Sequence, residues 1–238
     1  MPPMMKSPRW AGPQPALDLA SQGVLGRDPA ALTRPHWFLV KRLIDMGGAS
    51  ALLLLLAPLL LAVALTVKLG SRGPLLFRQQ RYGRDRRSFT VLKFRTMHDG
   101  ASSDPHRLYI QSLADADGGG DGLKKLTDDP RITRFGAFLR RMSLDELPQL
   151  VNVVRGEMSL IGPRPALYYE LEYYDAEHFA RFDVRPGMTG LWQVSGRSTL
   201  GFREMLDLDA EYARRAGPML DAVILMRTPS AVLGRRAA

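Results

Sequence analysis

The apolar segment at residues 46–67 constrains this chain most, because it carries no charged residue over about 22 positions. As an α-helix it would be about 33 Å long, which matches the thickness of the hydrocarbon layer of a bilayer. Basic residues flank it on both sides, with Lys41 and Arg42 before it and a basic run that begins at Lys68 after it. The segment is therefore predicted to lie in a membrane.

Two features favour a helix that re-enters the membrane over a helix that crosses it. Both flanks are basic, and basic flanks prefer the cytoplasmic side. Pro58, near the middle, removes a backbone hydrogen bond and costs roughly 3 kcal/mol in a straight helix. A helix at residues 41–69 that bends back at Ala57-Pro58 satisfies both features; a proline-kinked spanning helix is the alternative. A signal peptide is disfavoured because about 45 residues precede the run.

The composition favours a negatively charged partner. The chain has 33 Lys and Arg against 24 Asp and Glu, a formal net charge of +9, which suits an anionic membrane surface. Nucleic acid is the other common partner of such a charge, but no nucleic-acid module or aromatic-basic interleaving supports it. Because there is no cysteine, disulfides, thiolate metal sites and a cysteine nucleophile are excluded.

A length of 238 residues suits one domain and its anchor. Residues 1–35 hold seven of the 17 prolines and few large apolar residues, so they are predicted to form a disordered arm. Residues 36–238 are predicted to form the functional domain. Its expected fold class is α/β (mainly α), with the re-entrant membrane helix, small strands and amphipathic surface helices.

Two adjacent carboxylates, Asp145 and Glu146, are the main candidates for a reactive site. Ser143 and Glu146 have the spacing of a capping box, and Pro148 fits a helix that begins at Asp145. Either start places both acids in a first turn, where unpaired N–H groups and the helix dipole stabilise an anion. An ionised carboxylate there can attack phosphorus or bind Mg²⁺. The alternative is that both acids only cap a helix.

Arginines lie on both sides of this acidic pair in the sequence. Arg140 precedes it, and Arg164 follows between two prolines of fixed φ, which limits the entropy lost when a guanidinium binds an oxyanion. A rigid turn with a solvated arginine is the alternative at Arg164. Arg197, in a Gly-Arg loop, is placed to contact a nucleotide phosphate.

Short strands are predicted at residues 74–77 and 88–97, with a turn at Arg81-Tyr82-Gly83 between them. Lys93 and Arg95 share one face of the second strand. This indicates a solvated or membrane-facing edge, with a substrate role as the alternative. Helices are predicted at residues 131–142, 167–182, 202–215 and 218–233, and another strand at 191–194.

Two further segments are given structural interpretations. Residues 104–125 superficially suggest a calcium loop, but Leu126 stands where the last glutamate ligand belongs, so a mobile loop is predicted. His178 is interpreted as a structural or surface residue, because no partner motif accompanies it.

Four segments occur in the order found in one family. They are KRLIDMGGASALLLLLAPLL, KFRTM, LTDDPRITRFGAFLRRMSLDELPQLVNVVRGEMSLIGPRP and VRPGMTGLWQVSGR. Through these segments, over about residues 40–233, the chain resembles the bacterial sugar transferases, which are monotopic polyprenol-phosphate sugar-1-phosphate transferases. Several long motifs in the same order are much more specific than a single motif.

The resemblance implies an enzyme at the cytoplasmic face of the bacterial inner membrane. Such an enzyme transfers a sugar-1-phosphate from a UDP-sugar to undecaprenyl phosphate, releases UMP and so starts a surface glycan such as exopolysaccharide, capsule or O-antigen. The position that matches the family's nucleophile, a phosphorylated aspartate, is Asp145. Glu146 matches the second member of the pair, and both acids are the expected Mg²⁺ ligands.

The resemblance also extends to the substrate-binding residues. Arg140 and Arg164 match positions expected to hold the diphosphate, and Arg197 matches a position near the nucleotide. Arg81 is included among the substrate-binding candidates. Pro58 is grouped with them, because it matches the break of the re-entrant helix that holds the acidic pair at headgroup depth.

Two departures from the family and two rival functions remain. Some relatives have serine where this chain has Ala57, so no hydroxyl supports the carbonyls freed by Pro58; larger relatives carry several membrane spans ahead of this unit. The first rival is a non-catalytic basic membrane adaptor, in which the acids cap a helix and the arginines anchor lipid. The second is a nuclease or polymerase-like phosphoryl transferase. Glucose, galactose and N-acetylated sugars are all open as the transferred group.

Overall fold

The computed structural model of the chain describes residues 35–100, 107–108, 110–111, 129–196 and 200–233. In these residues helices predominate and the strands are short, so the expected mainly helical α/β composition is confirmed. The predicted arm lies outside the described residues except for Pro35, and so does most of the predicted loop at residues 104–125.

The elements follow in chain order. The helices are α1 Pro35–Leu55, α2 Ala57–Gly70, α3 Arg134–Met142, α4 Gln149–Arg155, α5 Leu191–Ser195, α6 Phe202–Arg215 and α7 Pro218–Leu233. The strands are β1 Leu76–Tyr82, β2 Ser88–Phe94, β3 Ser159–Ile161 and β4 Gly187–Thr189, and 3₁₀ turns lie at Leu144–Glu146, Tyr168–Tyr173 and Ala176–Asp183. β1 pairs with β2 antiparallel, and β3 pairs with β4 parallel.

The apolar segment forms two helices, α1 and α2, which meet at 64°. The break lies at Leu56, one residue before the predicted Ala57-Pro58. The N–H of Leu56 donates to Leu52 O at 2.9 Å and that of Leu60 to Leu56 O at 2.8 Å, whereas Pro58 has no N–H to donate. Pro58 lies in the first turn of α2, where a missing N–H costs least.

No single helix among the described residues is both long and apolar enough to cross a membrane. The bent pair His36–Leu55 and Ala57–Gly70 meets the length and hydropathy requirements only when it is taken together, which fits a broken span and a re-entrant loop alike. Its outer surface is strongly apolar. Leu54, Leu55 and Leu69 are 78%, 75% and 85% exposed.

Polar side chains near the start of α1 attach it to the rest of the fold. Asp45 is buried, and its carboxylate accepts hydrogen bonds from the Ser159 hydroxyl at 2.7 Å and the Leu160 N–H at 3.0 Å, both in β3. Lys41 Nζ lies 2.8 Å from Asp221 Oδ2 in α7. A buried carboxylate needs such partners to offset its desolvation, so this end of α1 has a fixed position on β3.

The two halves of the bent helix contact different elements. The Arg42 guanidinium, in α1, donates to the carbonyls of Val153 at 2.6 Å and Val154 at 2.8 Å, which lie at the C-terminal end of α4. α2 packs instead on α3 and the start of the following 3₁₀ turn, in an apolar cluster of Val63, Val67, Phe94 and Leu139 with Leu60, Ala64, Leu75, Leu76, Phe135 and Leu144. The segment between α3 and α4 therefore lies between the contact that α1 makes with α4 and the contact that α2 makes with α3.

The turn between β1 and β2 differs from the prediction. β1 continues through the predicted turn to Tyr82, which pairs with Ser88, and Gly83 is extended. The chain reverses at Asp85 and Arg86, whose φ angles of 55° and 57° are those of a type I′ turn. Gly83 suggested a turn at the wrong place. Asp85 takes the left-handed conformation instead, which aspartate tolerates better than most residues.

Two other predicted elements were wrong in type. Residues 167–182 form two 3₁₀ turns instead of one α-helix, and residues 191–194 lie in the short helix α5 instead of a strand. The helices predicted at 202–215 and 218–233 are confirmed with the same bounds.

A buried amide connects β2 to α4. Asn152 is fully buried; its Oδ1 accepts the Leu92 N–H at 3.1 Å, and its Nδ2 donates to Thr90 O at 2.7 Å and Glu157 Oε2 at 2.6 Å. One side chain thereby fixes the relative position of a strand and of the helix that follows the acidic pair.

Asn152→Ala should therefore lower the free energy of unfolding by about 2–4 kcal/mol, because it leaves buried backbone groups without their hydrogen bonds. Chemical denaturation in detergent micelles measures the change. Gln80→Ala is the matched control, because Gln80 is exposed and makes one side-chain hydrogen bond to Thr90. Equal effects of the two substitutions would contradict the proposed role of Asn152.

Candidate active site

The acidic pair lies in a 3₁₀ turn, Leu144–Glu146, that continues into α4. Ser143 does not form the predicted capping box: it ends α3 with a left-handed φ of 55°, and its N–H donates back into α3. The bonds from Glu146 N–H to Ser143 O and from Leu147 N–H to Leu144 O follow the 3₁₀ pattern. Both acids nevertheless lie in the first turn of helical backbone, as expected, and Asp145 is buried at 6% exposure.

Glu146 is paired with a lysine instead of capping the helix. Lys93 Nζ, in β2, lies 2.9 Å from Glu146 Oε1, and each side chain is 26% exposed. The primary expectation that Lys93 forms a solvated or membrane-facing edge was therefore wrong. The pairing places an ammonium group directly at the acidic pair.

Arg95 also departs from the predicted solvated edge. It is only 6% exposed, and its guanidinium donates to the backbone carbonyls of Ser71 and Arg72 in the segment after α2. Those carbonyls follow the end of a helix, where arginine is a common partner. Arg95 therefore has a structural role at the end of the bent helix pair.

Arg81 connects β1 to the segment that carries Arg164. Its Nη1 donates to Pro165 O at 2.9 Å, and its Nε and Nη2 donate to Gln79 Oε1. Burial, followed by the neighbouring Arg164, lowers the pKa of Arg81 to about 10, although Glu170 and Glu146 act in the opposite direction. Arg81 is thus electrostatically coupled to both Arg164 and the acidic pair.

Glu170 holds the Arg164 side chain. Arg164 Nη1 donates to Glu170 Oε1 at 2.7 Å, and Glu170 Oε2 accepts the Leu167 N–H at 2.9 Å. Burial alone would raise the pKa of Glu170, but Arg164 and Arg81 hold it below its ordinary value. Arg164 bonds to this carboxylate directly and Arg81 acts on it electrostatically, so the buried negative charge of Glu170 is balanced by two guanidinium groups.

The backbone of Arg164 is also held from both sides. Its N–H donates to Asp209 Oδ2 at 3.1 Å, and its carbonyl accepts from Arg181 Nη2 at 2.6 Å. Arg181 also pairs with Asp209 at 2.6 Å, and their side chains are 1% and 0% exposed. Burial raises the pKa of Asp209 to about 6, although Arg181 opposes the shift.

Two glycines bring the strand before Arg164 and the strand β4 into backbone contact. A Cβ on Gly162 would lie 2.4 Å from Arg185 O, and one on Gly187 would lie 2.0 Å from Gly162 N. Any side chain at either position would push the backbones apart. The turn that carries Arg164 thus has a rigid support.

The remaining predicted site residues lie in different places. Arg140, in the last turn of α3, is close enough to Asp129 to help lower the pKa of that carboxyl, which Arg131 mainly holds at about 2. Arg197 lies outside the described residues. Pro58 lies at the break of the bent helix. The structure brings together the acidic pair, Arg81 and Arg164.

The residues that sequence reasoning missed are Glu170, Arg181 and Asp209, which position Arg164. Glu170 had no sequence signal, because the residue three positions before it is Leu167, which has no side-chain oxygen to complete a capping box. Arg181 and Asp209 come from distant segments and have no signal in the sequence. A substrate role was the alternative for Lys93 in the sequence. Its pairing with Glu146 was not predicted, because the two residues are 53 positions apart.

His178 has the structural role that was predicted. It is buried, its Nδ1 accepts the Asp175 N–H at 3.0 Å, and its Nε2 lies 2.9 Å from Asp207 Oδ1. Glu177, His178 and Asp207 could bring ligand atoms within 4.8 Å of one another. However, the Nδ1 lone pair is used by the backbone, so Nε2 carries the hydrogen and does not offer a lone pair to a metal ion.

The acidic pair suits a magnesium ion better. Mg²⁺ prefers one or two carboxylates and fills its other positions with water and substrate phosphate oxygens. Asp145 and Glu146 are adjacent in one turn and offer this set of donors. Lys93 Nζ, at 2.9 Å from Glu146 Oε1, already places one positive charge beside this pair.

Comparison with known proteins identifies related sequences. A profile of the bacterial sugar transferase family matches residues 36–235. The exopolysaccharide production protein ExoY of Rhizobium meliloti is 40% identical over 199 residues, which cover 84% of this chain and 88% of ExoY. The UDP-glucose:undecaprenyl-phosphate glucose-1-phosphate transferase of Caulobacter vibrioides is 40% identical over 201 residues, or 81% of this chain and 69% of that protein.

A longer relative is similar over the same region. The UDP-galactose-lipid carrier transferase of Erwinia amylovora is 43% identical over 197 residues, which cover 82% of this chain but 41% of that protein.

The raised pKa of Asp209 predicts a pH dependence of stability. Asp209 binds a proton below pH about 6 in the folded chain but only below about 3.8 in the unfolded chain. Protonation of Asp209 therefore makes its full contribution to the stability of the fold below pH 3.8, and this contribution is lost as the pH rises through 6. Relative to Asp209→Asn, the wild type should lose roughly 2 kcal/mol of stability between pH 4 and 6.5, at no more than about 1.4 kcal/mol per pH unit. Thermal unfolding at several pH values measures it.

Asp99→Asn is the control for that experiment, because Asp99 is exposed and should leave the wild-type curve unchanged. Parallel stability curves for the wild type and Asp209→Asn would show that Asp209 does not titrate in this range.

Proposed function

The chain belongs to the bacterial sugar transferase family, and from this premise we propose that it transfers a sugar-1-phosphate from a UDP-sugar to undecaprenyl phosphate with release of UMP. Its relatives are named as glucose-1-phosphate transferases and as exopolysaccharide production proteins. The chain is therefore a phosphoglycosyltransferase, and its product would start a surface glycan. The two adjoining motifs SLDELPQL and GPRP argue against a non-catalytic adaptor.

One observation carries the proposal: a buried carboxylate, Asp145, lies in a first helical turn beside Glu146, which is coupled to Lys93 and Arg81. Arg81 in turn is coupled to Arg164. Lys93 thus contacts the acidic pair directly, and Arg81 connects it electrostatically to Arg164. This arrangement suits a reaction in which a carboxylate attacks a phosphate and the negative charge on the phosphate must be neutralised.

In the first step, an Asp145 oxygen attacks the phosphorus that carries the sugar. The bond between this phosphorus and the bridging oxygen breaks, the bridging oxygen leaves with UMP, and a phosphosugar remains on the carboxylate. Arg164 and Arg81 are proposed to bind the diphosphate oxygens. Arg164 is suited to this because Glu170, Asp209 and Arg181 hold it before the substrate arrives.

In the second step, a phosphate oxygen of undecaprenyl phosphate attacks the same phosphorus. The bond to Asp145 breaks, the carboxylate is regenerated, and the product is the diphosphate-linked lipid sugar. A covalent intermediate is favourable because UDP-sugar and lipid phosphate are both anions, and one can leave before the other binds.

Magnesium is the proposed cofactor, with Asp145 and Glu146 as its ligands. When bound, it would neutralise phosphate oxygens and polarise the phosphorus. Lys93 and Arg81 would provide the remaining positive charge at this site. Removal of the ion with a chelator should stop UMP release.

The proposed location is the cytoplasmic face of the bacterial inner membrane. The exposed leucines of α1 and α2 would lie in the hydrocarbon, with the bent pair re-entering on the side from which it came. The basic residues before and after it would contact anionic headgroups. The acidic pair, between the contacts of α1 and α2, would then lie near the depth of the lipid phosphate.

The proposal covers the sugar class but does not choose one sugar, because the named relatives act with UDP-glucose and UDP-galactose. A panel of UDP-glucose, UDP-galactose and their N-acetylated forms, with undecaprenyl phosphate and Mg²⁺, would identify the donor by UMP release.

Asp145→Asn should reduce UMP release by on the order of 10³-fold or more, because an amide is not a nucleophile toward phosphorus. With the donor identified, wild-type protein quenched without acceptor should also carry a phosphosugar on Asp145, detected by mass spectrometry. Glu172→Gln is the control, since Glu172 is exposed on a neighbouring turn. Near-normal turnover of Asp145→Asn would refute the assignment of the nucleophile.

The topology is tested with single cysteines, because the chain has none of its own. In inner-membrane vesicles and spheroplasts, cysteines at His36 and Arg72 should both react with a membrane-impermeant maleimide only from the cytoplasmic side. Leu54→Cys should be unreactive from either side, since it would lie in the hydrocarbon. Labelling of position 36 or 72 from the periplasm would establish a helix that crosses.

A further inference from the structure

Lys93 occupies the position where a cation would meet Glu146. Its Nζ is 2.9 Å from Glu146 Oε1, and both side chains are three-quarters buried. The strand that carries Lys93 is fixed on α4, because Asn152 bonds to the backbone of Thr90 and Leu92, which precede Lys93 in the strand. The ammonium group therefore lies at the acidic pair through the framework of the fold and not through a flexible surface contact.

A metal ion and an ammonium group make competing demands on the same oxygen. When a carboxylate oxygen coordinates a divalent ion, the charge of the ion offsets the negative charge that attracted the lysine. The two cations would also repel each other at this distance, in a partly buried site where screening by salt is weak. Lys93 has a flexible four-carbon side chain, so it can move away without any change in the backbone.

We infer that Lys93 is an internal competitor for the metal position at Glu146, and that metal binding releases its ammonium group to hold a phosphate oxygen of the sugar nucleotide. The inference rests on the proposed function, since it assumes a metal ion at the acidic pair. Lys93 thereby has a second role, in addition to supplying positive charge during the reaction. Metal and nucleotide then favour each other's binding through Lys93.

The test measures metal binding directly, on the full-length protein in detergent, by the loss of the free Mn²⁺ signal in electron paramagnetic resonance. Lys93→Met should bind Mn²⁺ alone roughly three- to tenfold more tightly than the wild type, because no ammonium group must be displaced. It should also bind UMP more weakly in the presence of Mn²⁺. UMP should strengthen Mn²⁺ binding more in the wild type than in Lys93→Met, because direct coordination of the metal by the phosphate remains in the variant while the contribution of Lys93 is lost.

Three control variants distinguish competition at Glu146 from a general effect of charge. Lys93→Arg keeps a cation at Glu146 and should resemble the wild type. Lys68→Met removes an exposed positive charge at the end of α2 and should leave Mn²⁺ affinity unchanged, which excludes an effect of net charge alone. Glu146→Gln should abolish the competition, so that a further Lys93→Met change no longer increases affinity.

Unchanged or weaker Mn²⁺ binding by Lys93→Met would overturn the inference, because a purely structural ion pair predicts that result. Absence of Mn²⁺ binding in all variants would overturn it as well. UMP release by the wild type is measured in the same preparations. If it occurs while the Mn²⁺ results fail, the inference falls and the proposed function stands; if it does not occur with any UDP-sugar, the proposed function falls.

Discussion

A proline that cannot donate a hydrogen bond lies in the middle of the apolar segment, and much of the architecture depends on it. Because Pro58 has no N–H, the helix bends by 64° and its two halves meet different parts of the fold. The first half binds the end of α4 through Arg42 and the strand β3 through Asp45. The second half packs on α3 and on Leu144, at the start of the acidic turn. The turn that carries Asp145 is thus held between both halves of the same bent helix.

The second organising principle is the placement of buried charge. Arg164 is held by one carboxylate at its side chain and by another at its backbone, and the second carboxylate is itself paired with Arg181. Each charge in this group has a partner, which the cost of desolvation requires. Glu170 faces two arginines, however, because Arg81 acts on it electrostatically in addition to Arg164.

Local sequence patterns predicted some elements well and failed at others for identifiable reasons. The bounds of α6 and α7 were correct because Gly201 and the Gly217-Pro218 pair mark where those helices begin. The helix at residues 167–182 became two 3₁₀ turns, since side chains such as Glu170 bond backbone and Arg164 instead of facing solvent. The residue pattern marked the acidic pair and Arg164 as candidates, and the resemblance to the family supplied their expected roles. The Lys93–Glu146 contact and the Asp209–Arg181 support were not predicted, because they join segments 53 and 28 residues apart.

The contact between Gly162 and Gly187 has a consequence for how such enzymes diversify. Here two main chains touch directly, so neither position tolerates even a methyl group. Substitutions of neighbouring side chains cannot change the distance between these two main chains. Directed evolution toward another donor would therefore find no useful variants at Gly162 or Gly187. New selectivity is expected to come from segments farther out, while the turn that carries Arg164 stays constant.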